Sequence, residues 1–169
     1  MRTVPSGDAL TERAGNGSRE RSDGGVNLPV EDKSSVEVSD TYERLAAKDP
    51  STLSPPARLF VAVGDLRADV NNGGFNQYFV NSAGDLVLDV LQAAAILKAH
   101  HLRSLVEQAL HILDVDDPSD RSARQVRLDD ITDDVFDHLD DAYYALEEST
   151  KLDELMARLL TLRQDPTSM

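Results

Sequence analysis

The sequence predicts an all-α fold: a single compact domain of about six or seven helices that follows a disordered N-terminal extension. Apolar residues recur at spacings of three and four from residue 40 to residue 163, which is the pattern of one-sided helices. Capping residues, glycines and prolines separate these segments, and no strand-like alternation bounded by hairpin turns interrupts them. A chain of 169 residues usually forms one domain and is long enough to bury a substantial core.

The first 39 residues differ from the rest in composition. They are rich in glycine, serine and charged residues and contain few apolar anchors. Such a composition indicates disorder, so we predict an extension at residues 1–39 and a helical domain at residues 40–165. The sequence alone does not distinguish a regulatory segment from residues added by a misassigned start codon.

Two helices are predicted at the start of the domain. Asp40 is placed to cap a short helix, and Tyr42 and Leu45 supply its apolar side. Ser54, which is followed by two prolines, opens the second helix, and Asn71–Gly74 breaks it. The apolar positions of this second helix are Leu59, Phe60, Val63, Leu66 and Val70.

A short aromatic helix and a long apolar helix come next. The aromatic helix carries Phe75, Tyr78 and Phe79. Gly84 is placed to end it in a left-handed conformation, and Asp85 to cap the apolar helix, which runs to about Ala99. Because that helix is apolar almost all round, we predict that it lies at the centre of the domain.

Two further helices, each with one apolar side, are predicted before and after an acidic stretch. The first ends before the loop Asp114–Pro118, and its apolar positions are Leu102, Leu105, Val106, Ala109, Leu110 and Leu113. The last is predicted to be capped by Ser149 or Thr150. Its apolar positions are Leu152, Leu155, Met156, Leu159 and Leu160.

The acidic stretch between them carries seven aspartates at spacings of one, three and four: Asp129, Asp130, Asp133, Asp134, Asp137, Asp140 and Asp141. At about 100° per residue they fall within an arc of roughly 140° on a helix, and the opposite side is apolar. The residues of that apolar side are Ile131, Val135, Leu139, Ala142, Tyr143 and Leu146. We therefore predict one continuous amphipathic helix with an acidic ridge about 18 Å long, which Glu147 and Glu148 extend.

The charge of the chain is concentrated around this ridge. The formal net charge is −14, while the first 35 residues hold 6 acids and 5 bases. Residues 114–154 hold 15 acids and 4 bases, a local balance of −11. Direct nucleic-acid binding is therefore not expected, because phosphate binding depends on lysine and arginine. A basic protein is the expected partner. The preference for Asp over Glu, 22 to 9, leaves open that the acidity reflects solubility or genome composition.

Several function classes find no support in the sequence. With no cysteine, the chain has no disulfide or thiolate chemistry, which fits the cytoplasm. The loop beginning at Asp114 does not match a calcium loop, because Pro118, Ser119 and Gln125 occupy positions that need an oxygen ligand, glycine and glutamate. The side chains of the neighbours His100 and His101 diverge by about 100° on a helix, so they cannot readily share a metal ion. We predict no metal or cofactor, and no enzyme, because no catalytic motif is present.

The segment NGGFNQYFVNSAGD, residues 72–85, is the least generic string in the chain. Its aromatic residues are one turn apart and are expected to fill the core, while its amides are expected to tie the adjoining turns by hydrogen bonds. Ligand binding is the alternative, and an enzyme would need a pocket here, around Asn72, Asn76, Gln77 and Tyr78. We favour the structural interpretation.

This segment, with the apolar helix and the acidic C-terminal half, resembles the DNA-mimic protein family in its C-terminal-domain type, over residues 40–163. The matching positions are Asn72, Gly73, Gly74, Phe75, Gln77, Tyr78, Phe79, Asn81, Ser82, Gly84 and Asp85. The resemblance implies an all-α, dimeric protein whose carboxylates stand in for phosphates and occupy the DNA-binding surface of a basic protein such as a transcription factor. The alternative is an immunity-type or other protein-binding inhibitor that does not mimic DNA.

Overall fold

The computed structural model describes residues 33–149 and 152–162. These residues form seven α-helices and three short 3₁₀ turns, and they include no strand, which confirms the all-α prediction. The helices are α1 (Lys33–Ala46), α2 (Pro55–Val80), α3 (Val87–Leu97), α4 (His100–Leu113), α5 (Arg121–Asp129), α6 (Asp137–Ser149) and α7 (Leu152–Thr161). The 3₁₀ turns are Pro50–Thr52, Ser82–Leu86 and Asp133–Phe136.

Helix α1 begins earlier than predicted. Asp40 lies inside it, so the prediction of Asp40 as a cap is wrong. The apolar spacing continues backwards from Tyr42 to Val38, which is buried, and this extends the helix into the predicted extension. The extension up to residue 32, and the predicted end of the domain after residue 162, lie outside the described residues.

Helix α2 is broken where the sequence predicts it. Gly73 and Gly74 have non-helical backbone angles, and φ of Gly74 is +72°. A Cβ atom on Gly74 would lie 2.1 Å from Oδ2 of Asp140, so this position requires glycine for its backbone angle and for its lack of a side chain. The predicted Ser54 start is also observed, although the Ser54 side chain makes no capping hydrogen bond.

The turn after α2 differs from its prediction. Gly84 lies in a 3₁₀ turn and not in a left-handed conformation, so its predicted role as a terminator is wrong. It is needed for space: a Cβ atom there would lie 2.8 Å from the Tyr78 carbonyl oxygen. Asp85 does not cap α3, whose N-cap is Leu86; Asp85 instead binds two arginines of α5. Ser149 is the last residue of α6, and Thr150 is outside the described residues.

The core is centred on α2 and not on α3. Helix α2 packs against α1, α3, α5, α6 and α7 and buries thirteen residues. The outer side of α3 carries Leu88 and Ile96, which are 53% and 43% exposed, so the prediction of α3 as the central helix is wrong. The buried residues of α2 include 59–64 without a gap, so this helix is buried on more than one side.

The predicted acidic helix is not continuous. Helix α5 ends at Asp129, Thr132 is extended with φ −77° and ψ 148°, and α6 begins at Asp137. Phe136 gives the physical reason. On one straight helix it would lie within about 20° of Asp129, on the acidic side; the break instead turns it into the core, where its ring centroid is 5.7 Å from that of Phe79.

No single helix among the described residues is long and apolar enough to cross a membrane. The pair Pro55–Val80 and Ser82–Leu97, bent by 74°, meets the criterion of length and composition when taken together.

Candidate functional site

The predicted ridge separates into outward and inward carboxylates. Six acidic side chains of the predicted ridge are exposed and form no ion pair with any described residue; we call them the acidic surface. They are Asp129, Asp130, Asp134, Asp137, Asp141 and Glu148. The backbone of Asp133 lies in the adjoining 3₁₀ turn, and its side chain is outside the described part. Asp140 and Glu147 are directed towards α2 and are not part of this surface.

Half of the acidic surface lies on one stripe of α6. At about 100° per residue, Asp137, Asp141 and Glu148 fall within roughly 40° of one another, and the stripe is about 16 Å long at 1.5 Å rise per residue. Helix α6 contains no lysine or arginine. Asp129, Asp130 and Asp134 add negative charge at the turn that precedes the helix.

The bases nearest in sequence are engaged elsewhere. Arg121 binds Asp85, with 2.6 Å between Nη2 and Oδ2, and Nε of Arg127 donates to the Leu113 carbonyl oxygen at 3.0 Å. Arg124 is buried and bound to the turn after α2, as described below. The fourth base of this stretch, Lys151, is outside the described residues. The arginines of α5 therefore do not neutralise the acidic surface.

Asp140 stabilises the break in α2. Its Oδ1 accepts a hydrogen bond from the backbone N–H of Phe75 at 2.8 Å, and Gly74 leaves room for the carboxylate. Burial raises the pKa of Asp140, the Phe75 N–H lowers it, and the neighbouring Asp137 and Asp141 raise it further, so that the net direction is upward. Asp140 is thus a structural residue, and its assignment to the partner-binding ridge is not supported by its position.

Glu147 is also engaged within the fold. It forms an ion pair with Arg67, and its Oε2 accepts a hydrogen bond from the Asn71 side chain at 2.7 Å. Arg67 in turn also binds Asp153. These contacts join α2 to α6 and α7, so Glu147 does not extend the exposed stripe as its neighbour Glu148 does.

The segment at residues 72–85 builds the junction between α2 and α5. Phe75, Tyr78 and Phe79 are fully buried, and the side chains of Gln77 and Asn81 donate to Asp69. The Phe75 ring packs edge-on against Tyr143 of α6 and also against Phe136. The described contacts support the structural interpretation of this segment.

Arg124 is the residue of this junction that the sequence analysis missed. Its side chain is fully buried and donates to the carbonyl oxygens of Phe79 (2.8 Å), Pro118 (2.8 Å) and Asn81 (3.0 Å), and to Oδ1 of Asp85 (2.7 Å). A signal was present: on α5, Arg124 lies one turn before Leu128, which is buried, so it shares the inward side.

The acidic loop before α5 serves the fold. Asp117 accepts from the backbone N–H and the hydroxyl of Ser119, and Asp120 caps α5 by accepting from the backbone N–H of Ser122 at 2.9 Å. Within the described residues, no group of three or more histidine or acidic side chains is arranged to hold a metal ion.

A comparison with protein families identifies the family to which the chain belongs. A family model described as DMP19-like protein matches residues 51–164, a range that includes the segment at residues 72–85 and the acidic surface. No curated protein and no solved structure matches the chain. The assignment to the DNA-mimic protein family of C-terminal-domain type is therefore wrong, because the family that matches is a different one.

Proposed function

Because the chain belongs to the DMP19-like protein family, and because it carries an unneutralised acidic surface, we propose that it is a non-enzymatic cytoplasmic protein that binds a basic protein. The partner proposed is a DNA-binding protein such as a transcription factor, whose DNA-binding surface it occupies. Family membership is compatible with this function. The observation that carries the proposal is the set of six exposed carboxylates, none of which has a cationic partner among the residues that the structure describes.

The arrangement of α6 suits a surface that normally binds phosphates. Side chains four residues apart on a helix lie about 5 to 6 Å apart, so Asp137 and Asp141 present neighbouring negative charges. Like charges at that spacing destabilise an isolated helix by a few tenths of a kcal/mol, and a basic partner relieves this repulsion. Association steered by opposite charges is fast and falls steeply with salt, as it does for DNA itself.

A second candidate is a protein-binding inhibitor that does not mimic DNA. Tyr144 favours it, because its ring is 38% exposed beside Asp141 and Glu148 while its hydroxyl donates to the Val70 carbonyl oxygen of α2 at 3.0 Å, which fixes the ring in place. Tyrosine is enriched where interfaces have an apolar centre, and such interfaces resist salt. The two candidates therefore differ in the salt dependence of binding and in the effect of Tyr144→Ala.

We also propose that the chain forms a homodimer through α3. The outer side of this helix carries Leu88 and Ile96, and its one charged residue, Asp89, is paired with Arg58. Two copies with a charge of −14 each can meet on this uncharged side without bringing carboxylates together. Light scattering after size exclusion tests this: L88E/I96E is expected to be monomeric, whereas V126E, which charges an apolar residue that is 66% exposed on α5, keeps the dimer.

The acidic surface is tested with two charge-matched variants. One carries Asp→Asn at positions 129, 130, 134, 137 and 141. The control carries E37Q, D40N, E43Q, D114N and D116N, which remove the same number of exposed carboxylates elsewhere. Each is immobilised beside the wild-type protein, incubated with lysate of the source organism and eluted with a salt gradient, and the retained proteins are identified by mass spectrometry.

We expect a basic DNA-binding protein that is retained by the wild type and the control, lost from the first variant and displaced by its own operator DNA. Retention of the same partner by the first variant would reject the acidic surface as the binding site. A partner that is lost with Tyr144→Ala and held at high salt would support the second candidate instead.

A further inference from the structure

A cavity of about 430 Å³ lies on the side of the domain where the turn between α3 and α4 meets α6 and α7. Its walls are largely apolar and include Leu97, Leu102, Leu146, Leu152 and Leu155. This volume and lining are those of a small-molecule site, in which apolar walls surround a few polar groups that orient the ligand.

Two unpaired cations line the same cavity. Lys98 and Arg158 are both exposed, and neither forms an ion pair with a described residue, although acids outnumber bases by 31 to 17 in this chain. The one acid in the lining, Glu147, is held by Arg67 and Asn71. The charge available to a ligand at this cavity is therefore positive, in contrast to the rest of the molecule.

The first turn of α4 also opens on the cavity. Ala99, at the N-cap of this 14-residue helix, and the three residues after it all line the cavity. No side chain caps the helix, because alanine has no acceptor, so the first backbone N–H groups lack a capping partner from the described residues. An uncapped helix N-terminus favours a carboxylate or another anion.

The Tyr143 side chain forms part of the cavity wall. It is 1% exposed, and its hydroxyl has no hydrogen-bond partner among the described residues. Burial, with the nearby Glu147, raises the pKa of Tyr143, so the hydroxyl keeps its proton and remains a donor. The hydroxyl oxygen is not accessible from the cavity, so Tyr143 contributes its ring to the wall, and no hydrogen bond to a ligand is assigned to it.

We propose that this cavity binds a small organic carboxylate with an apolar tail, whose carboxylate lies near Lys98, Arg158 and the start of α4 and whose tail lies among the leucines. The proposal does not rest on the acidic surface or on its partner. Lys98 is also the C-cap of α3 and has a left-handed backbone, with φ of 56°, which is uncommon for lysine.

The test uses octanoate as the probe and 1-octanol as its uncharged counterpart. Binding to the full chain is measured by titration calorimetry and located from the backbone amide signals in ¹H–¹⁵N spectra. The test variant K98N/R158Q removes both cations, and asparagine tolerates the left-handed backbone at position 98. The matched control R44Q/K48N removes two exposed cations of α1 and its following turn, which do not line the cavity.

We expect saturable octanoate binding that shifts the amide signals of residues 99–102. In K98N/R158Q the octanoate affinity falls about tenfold or more, the scale of a charge-assisted hydrogen bond, while the affinity for octanol is unchanged. Hexanoate binds about tenfold more weakly than octanoate, because two methylenes fewer are buried. Three results would overturn the proposal: no saturable binding at millimolar octanoate, amide shifts confined to other surfaces, or an equal loss in R44Q/K48N.

Discussion

Arg124 offers the sharpest test of how this fold is held together. Its guanidinium joins α5 to the end of α2 and the following turn through the carbonyl oxygens of Phe79 and Asn81 and the carboxylate of Asp85. It also donates to the Pro118 carbonyl oxygen in the loop before α5. Arg124→Met keeps much of the apolar volume but removes every donor. The carbonyl oxygens of Phe79 and Asn81 then lose their arginine donor, and Asp85 keeps Arg121 alone.

The cost follows from burial. Removing one partner of a buried ion pair destabilises a protein by roughly 3 to 5 kcal/mol. Asp85 is 36% exposed and regains some water, so we place the loss of unfolding free energy for Arg124→Met at the lower end, about 3 kcal/mol. That is a large part of the roughly 5 to 15 kcal/mol expected for a domain of this kind.

Arg127→Met is the matched control, because Arg127 is on the same helix and donates one hydrogen bond, to the Leu113 carbonyl oxygen. A single such bond contributes about 0.5 to 1.5 kcal/mol. Urea denaturation followed by circular dichroism measures both variants. Equal losses in the two would refute the reasoning, because it assigns the difference to the buried network and not to the loss of a positive charge.

Three further predictions concern the same framework. Gly74→Ala is expected to lower the free energy of unfolding by about 1 to 3 kcal/mol, because alanine strains the positive φ and its Cβ meets Asp140. Gly73→Ala is expected to lower it less in the same urea denaturation, because φ is extended at −167° and the new Cβ meets the flexible Gln77 side chain. Phe136→Ala is expected to cost about 3 to 5 kcal/mol in thermal or urea unfolding, as for other buried aromatics, against less than about 0.5 kcal/mol for the exposed Val126→Ala. Burial raises the pKa of Asp85, but the hydrogen bonds from Arg121 and Arg124 outweigh burial, and the net pKa in the folded state is lowered. The contribution of Asp85 to the free energy of unfolding is therefore complete above its ordinary pKa of 3.8 and is lost as the pH falls through its lower pKa in the folded state. The stability difference between wild type and Asp85→Asn is therefore expected to shrink on acidification below about pH 4, and a constant difference from pH 7 to pH 3 would contradict the ion-pair interpretation.

The helices could be predicted from the sequence because their apolar spacing and their breaks are local. The break at Gly73–Gly74 and the turn at Asp114–Pro118 are examples, because the backbone preferences of glycine and proline are enough to predict both. Asp85 and Gly84 could not be assigned in this way. Their roles depend on Arg124, which is distant in sequence. A glycine and an aspartate that make room for and bind a buried arginine have the same local sequence pattern as a helix terminator and a helix cap.

The acidic residues show the same limit, because spacing alone does not separate structural from exposed carboxylates. Asp140 and Asp141 are neighbours, yet one accepts the Phe75 N–H and the other faces solvent. The difference arises from the break before α6: burying Phe136 sets the rotation of α6, and that rotation directs Asp140 and Glu147 towards α2 while Asp137, Asp141 and Glu148 remain outside. A variant that disturbs Phe136 is therefore expected to alter partner binding even though the side chain is buried, and Asp140→Asn is expected to affect stability more than binding. For this reason the proposed test of function leaves Asp140 and Glu147 unchanged, so that a loss of binding is assigned to exposed charge and not to a rotated helix.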